Sequence, residues 1–253
     1  MSFFKQDHVD KIKSEFTLIN SRYVDIKIKL WELHNRLKTE KAKEYLSHGV
    51  MRRLGIMMRS IKNVFTIFPI ERNTLLSTSE LSDVDINLHA FIVNIFGLLD
   101  NLAWVWIHEK QLANEIHQMN VGLYKTKTQK HLTEEFCRYL NSDRMKKWYN
   151  EYLRNYRDTL SHRIPLYVLP KALTPKQVSQ VKQIENKIAD CYKLRNWDMV
   201  EKLREESDRI GDVCFLVSHA SSENFPIILH AQLIADFNTI EEIVKKYCEM
   251  FLE

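Results

Sequence analysis

Phe91-Ile92-Val93-Asn94-Ile95-Phe96-Gly97-Leu98-Leu99-Asp100-Asn101-Leu102-Ala103-Trp104 is the stretch on which the fold turns. It lies inside an apolar run from Leu88 to Ile107, long enough to suggest a membrane span. His89, Asn94, Asp100 and Asn101 interrupt that run, and each is costly in lipid. The segment therefore reads as a buried core helix over about 84–116, apolar nearly all round and central to a helical bundle, with no membrane involved. On a helical projection Asn87, Ala90, Asn94, Gly97, Asn101 and His108 fall along one narrow stripe. Small and polar groups in a line let another helix approach closely, or line a cleft. Asp100 lies elsewhere on the circumference, amid Val93, Phe96 and Trp104, where a buried carboxylate needs a partner. That partner is either a structural donor or part of a functional site.

Outward from this helix, most of the chain carries helical spacing. Residues 6–38 place Val9, Ile12, Phe16, Ile19, Tyr23, Ile26, Leu30, Leu33 and Leu37 at steps of three and four. A second helix is expected from Thr39 to Ile67, stopped by Pro69. No acid occurs between Tyr45 and Ile70, and Arg52, Gly55, Arg59 and Lys62 share one side. Such a basic face is either simply solvated or contacts RNA. Leu75 to Asp83 reads as a polar linker with Asp83 as the following cap. Beyond the central helix, a short helix is expected near 130–140, and another opens at Ser142 and ends near His162, before Pro165. Ile164–Leu169 looks extended. A charged helical hairpin runs from Thr174-Pro175 to about Ile210, as an insertion at 175–210. Val213–Ser218 and Pro226–His230 read as a short β-hairpin, and a helix over 231–252 closes the chain. The expected fold class is all-α, a single helical domain over residues 1–253.

Composition removes several function classes. Only 5 glycines occur in 253 residues, where average usage would give roughly 18. No G-x-G or G-K-[ST] is present, so neither a Rossmann fingerprint nor a P-loop is available. The histidines show no H-x3-H or H-E-x-x-H spacing, so no metal site and no cofactor is expected. Cys137, Cys191, Cys214 and Cys248 lie far apart, which suits reduced thiols in a cytoplasm. The N-terminus turns polar too soon for a secretory signal.

The strongest local signal is Arg157-Asp158-Thr159-Leu160-Ser161-His162, at a helix end. Histidine moves protons near neutral pH, and arginine holds a permanent, forked charge suited to phosphate oxygens. The two are five residues apart, hence about 140° around a helix, and can flank a groove. Asp158, four residues before His162, is on the side needed to orient its imidazole. Tyr149, Tyr152 and Tyr156 precede the motif as a helix face, packed in the core or a dimer seam, or offered to bases.

This R-x4-H pattern, with a polar residue directly after the arginine, resembles the catalytic motif of the HEPN superfamily. The segments Phe91–Trp104 and Leu229–Phe237 resemble a prokaryotic branch of the same group. The resemblance implies a compact helical bundle and a metal-independent endoribonuclease, with His162 as general acid/base and Arg157 stabilising the phosphorane. It implies Asp158 as the orienting acid and Asp100 or Asn101 in support; the expected RNA contacts are Arg52, Arg59 and Lys62 of the basic face, with Arg163. It further implies a homodimer through the motif helix, and a defence or toxin role with an antitoxin or other protein partner. Toxins of this group that are silenced by nucleotidylation often carry a tyrosine two residues after the histidine. Here Ile164 stands there, and the first tyrosine is Tyr167. Two other readings stand beside this one: a non-catalytic RNA- or nucleotide-binding module, and an interaction protein recruited through the hairpin. The hairpin loosely resembles the UVR-type helical hairpin, although such a stripe more often packs onto its own domain.

Overall fold

Helix α1 (Gln6–Arg36) buries Val9, Ile19, Ile26, Leu30 and Leu33 on one side, the i, i+3, i+4 pattern of a core-facing stripe. The structure, a computed structural model, describes residues 3–162, 165–218 and 226–251, and leaves the side chains of residues 161 and 162 outside that description. Helix takes up 74% of the chain and strand 4%, so the architecture is an all-α bundle.

The expected second helix is a composite. It begins as α2 (Glu40–Glu44), widens into a π-helical run over Tyr45–Met51, and resumes as α3 (Arg52–Ile67). The central helix α4 spans Thr78–Glu109 and so starts earlier than its sequence suggests. Ser77, not Asp83, caps it: Ser77 accepts from the Glu80 backbone and Glu80 reaches back to the Ser77 N–H, closing a capping box. Arg72 reinforces this by gripping both Glu80 oxygens at 2.8 and 3.0 Å. The helix also stops at Glu109, short of 116. Glu109 then accepts from the backbone of Lys38 and Thr39, tying the end of α4 to the start of α2.

Short helices α5 (Thr126–Gln129) and α6 (Glu134–Leu140) follow. The helix opened by Ser142 is a second composite: α7 (Asp143–Lys146), a π-helical run over Lys147–Leu153, and α8 (Arg154–His162). Strand β1 (Tyr167–Val168) is held on α4, where His89 Nε2 bonds Leu166 O at 2.6 Å and Asp85 accepts from Val168 N–H at 2.8 Å.

Helices α9 (Pro175–Lys193) and α10 (Trp197–Asp208) form the charged hairpin. Val181, Ile184, Val200 and Leu203 are buried between them but lie outside the main core cluster. Its apolar stripe is thus covered by its own two helices. Ala172 and Asp212 exchange backbone hydrogen bonds of 2.9 and 3.0 Å at the base, so the hairpin leaves and returns at one point. Strand β2 (Leu216–Ser218) pairs antiparallel with both β1 and β3 (Ile227–Ile228), making a three-stranded sheet where a two-stranded hairpin was expected. Helix α11 (Leu229–Glu249) closes the bundle against α1. Among the described residues α4 is the single helix long and apolar enough to cross a membrane, and 61% of that window is buried inside the bundle.

Candidate functional site

The polar stripe of α4 does both things its composition allows. Toward its start it is a helix seam: Asn63 of α3 donates to Asn87 at 2.9 Å. Further along it receives a guanidinium. Arg53 Nη1 donates to Asn94 Oδ1 at 3.2 Å, and a Cβ on Gly97 would stand 2.4 Å from the Arg53 Cζ. Gly97 therefore makes room for Arg53 to lie flat on the helix. Next, Asn101 donates to Gly97 O at 2.6 Å, while its Oδ1 would stand 2.6 Å from a Cβ on Gly49 in the first π run.

One face over, α4 presents Phe96 and Asp100 to the motif helix. The Arg157 guanidinium stacks over the Phe96 ring, 4.2 Å from its centroid, a cation–π contact that holds the arginine arm against α4. Its Nη1 pairs with Asp158 at 3.2 Å, and both side chains remain about one-third exposed at 32% and 37%. The Arg157 Nε is buried and has no acceptor among the described residues. Tyr149, in the second π run, stacks on Tyr124 at 3.7 Å and borders Phe96 at 5.8 Å.

Asp100 lies between these elements, with no hydrogen bond or direct ion pair among the described residues. Burial pushes its carboxyl above the ordinary carboxylate range, opposed by the positive charges of Arg157, Lys125 and Arg53. Burial, with the nearby Asp100 charge, also pushes the Tyr149 phenol up to about 12, so it stays protonated. The result is a half-buried acid ringed by three cations from α3, the loop after residue 120, and α8.

The sequence-selected residues divide accordingly. Arg157, Asp158 and Asp100 come together. Asp158 pairs with Arg157 and, at 3.8 Å, with Arg154. Asn101 turns the other way, toward Gly49 and Arg52. Arg52 and Arg59 are exposed and Lys62 is half-buried along α3. His162 ends α8, but its side chain, like all of Arg163, lies outside the described residues. Tyr152 and Tyr156 face inward, with Tyr152 bonded to Asp236 at 2.6 Å, so neither is offered to a base. Arg53, one of the basic residues of the acid-free stretch, and Lys125 are not among the site residues selected from the sequence. The stripe of Asn94 and Gly97 was the available signal for Arg53, since a polar groove buried beside a helix needs a polar occupant. Lys125 reaches the site through a turn, Lys125 N to Gly122 O at 2.9 Å, that periodicity does not reveal.

The chain matches no protein-family model, and no curated protein or solved structure is significantly similar to it.

Proposed function

We propose that this protein is a HEPN-type endoribonuclease that cleaves RNA without a metal, using Arg157 and His162. The observation that carries the reading is the setting of Arg157. It is about one-third exposed, braced on Phe96, near Asp100, and five residues before the histidine that ends the same helix. In the reaction the 2′-oxygen attacks the adjacent phosphorus and the bond from phosphorus to the 5′-oxygen breaks. A base takes the 2′-OH proton and an acid protonates the departing 5′-oxygen. His162 serves as that proton carrier, and the Arg157 fork stabilises the added negative charge of the phosphorane. Phe96 and Asp158 hold the guanidinium in place, Asp100 adds a nearby negative charge, and Asp158 also serves the imidazole. Two protomers pairing their motif helices give a shared cleft with a second imidazole. Arg52, Arg59, Lys62 and Arg163 attract the strand. The cellular setting is the cytoplasm, in a defence or toxin system with an antitoxin or similar protein partner.

Purified wild type, Arg157→Ala and His162→Ala, incubated with total RNA in EDTA, test this directly. The expected products carry 2′,3′-cyclic phosphate and 5′-hydroxyl ends, and each substitution lowers the rate by at least ~100-fold, as loss of an acid–base group or oxyanion stabiliser does. RNA recovered intact but bound to folded wild type would instead favour a non-catalytic binding module.

A further inference from the structure

The first π-helical run opens a second cleft, lined in part by Arg53 and not by Asp100 or Arg157. It has a volume of about 450 Å³, within the range of small-molecule sites. Tyr45, His48, Arg52, Arg53, Ile56 and Asn101 define its walls. Long π runs are rare and recur at functional sites. This one supplies Tyr45 and His48, and its Gly49 allows the backbone to close on Asn101.

The charge balance of the cleft is unequal. Its one acid, Glu44, is already paired with Lys41 at 2.8 Å. Arg52, Arg53 and His48 form no ion pair among the described residues, and Arg52 and His48 are exposed at the mouth. Arg53 is fixed by Asn94 at 3.2 Å and seated on Gly97, so one guanidinium is already held in place before any ligand arrives. The amide nitrogen of Asn101 is committed to Gly97 O, leaving its oxygen as an acceptor in the cleft. Tyr45, stacked on His108 at 5.0 Å, gives a braced aromatic wall, and Ile56 an apolar one. Forked cations beside a neutral acceptor and a flat apolar wall suit a ligand with a phosphate, a hydroxyl or amine donor, and a planar body.

We infer that this cleft is a nucleotide-binding site, distinct from the Arg157 site, in which Arg52, Arg53 and His48 hold the phosphate and Asn101 accepts from the sugar or base. The nucleotide arrives either free or as one unit of an RNA strand. The inference does not need the cleavage reading, because its residues lie on the π run, α3 and the stripe of α4.

Calorimetric titration of the intact protein with adenosine, the four nucleoside 5′-monophosphates, inorganic phosphate and a short 5′-phosphorylated oligoribonucleotide tests it. A monophosphate is expected to bind at least tenfold more tightly than adenosine. Arg52→Ala, at an exposed position that does not disturb the core, should weaken it about tenfold. Asn101→Ala should weaken nucleotides but leave inorganic phosphate unchanged. Arg157→Ala and His162→Ala should retain nucleotide binding even where they abolish cleavage, which separates the two proposals. An oligonucleotide that binds at least tenfold more tightly than the monophosphate, with the same Arg52 dependence, identifies a strand subsite. Equal affinities identify a free nucleotide. Absence of binding by any phosphate ligand, equal binding of adenosine and its monophosphate, or indifference to Arg52→Ala would overturn the inference.

Discussion

Two aspartates, one buried and one half-buried, show what separates a structural carboxylate from a functional one. Asp236 on α11 is 1% exposed and accepts three hydrogen bonds, from Trp148 at 2.8 Å, Tyr152 at 2.6 Å and Gln232 at 2.9 Å. Asp100 on α4 is half-buried and has cations around it but no donor in contact. Burial raises the pKa of both. What differs is the disposition of the neighbours. Asp236 joins α11 to the second π run and is fully occupied, whereas Asp100 keeps its oxygens uncommitted in a charged setting. The sequence surrounds both with apolar residues, so sequence context alone does not tell them apart; the depth of burial and the donors do.

The largest test of that contrast is Asp236→Ala. It leaves the Trp148 N–H and the Tyr152 hydroxyl buried without an acceptor, at about 1–3 kcal/mol each. The expected loss of unfolding free energy is about 3–5 kcal/mol, measured by urea denaturation with the slope compared between variants. A loss below 1 kcal/mol would mean that the joint between α11 and the π run is not what holds them.

The next effect appears only against pH. The Asp236 carboxyl is pushed up to about 6 by burial, opposed by its three donors. The fold therefore favours its protonated form, and that stability is present below the ordinary value of 3.8 and lost as pH rises through 6. His230 is the counterweight. It is fully buried, bonds Phe68 O at 2.6 Å, and is pushed down to about 4 by burial. Its stabilising neutral form is present above the ordinary 6.5 and is lost as pH falls through 4. Each amounts to about 3 kcal/mol, at roughly 1.4 kcal/mol per pH unit. The two oppose one another between pH 4 and 6.5, so together they leave the wild type nearly level there. Asp236→Asn removes one side, and its stability relative to wild type should fall progressively as pH is lowered across that window. Parallel pH profiles for variant and wild type would show that the carboxyl is not shifted by its surroundings.

The course of the helices was legible because burial follows the 3.6-residue period. Ile19, Ile26, Leu30 and Leu33 needed no tertiary information. The start of α4 was misread because Ser77 and Glu80 form a capping box within a stretch of Ser and Thr that also reads as a linker. The two π runs were not legible, since an inserted residue shifts the helical phase without any marker residue. In the candidate site, Arg157, Asp158 and Asp100 could be selected from residue type and position, and the structure brings them together. Arg53 and Lys125 could not, because their relation to Asp100 depends on the crossing of α3 over Gly97 and on a turn at Gly122. The extended segment of β1 was legible, but its place in the sheet was not, because pairing of β1 with β2 spans the whole inserted hairpin.

The smallest expected change is the one that best isolates Asp100. Because burial outweighs the attraction of Arg157, Lys125 and Arg53, its ionised form costs the fold stability at neutral pH. Asp100→Asn keeps the shape and removes the charge, so the melting temperature should rise slightly at pH 7. The gain should shrink as pH falls and vanish below the ordinary carboxylate value of 3.8, where the unfolded chain is protonated too. Partial exposure screens the charge and keeps the gain modest. If Asp100 steadies Arg157 for phosphate, the same variant should cleave RNA about tenfold more slowly, close to 1.4 kcal/mol of transition-state stabilisation. A more stable but slower protein marks a carboxylate kept for its charge. A less stable protein with unchanged cleavage would place Asp100 beside Asp236, as a structural acid.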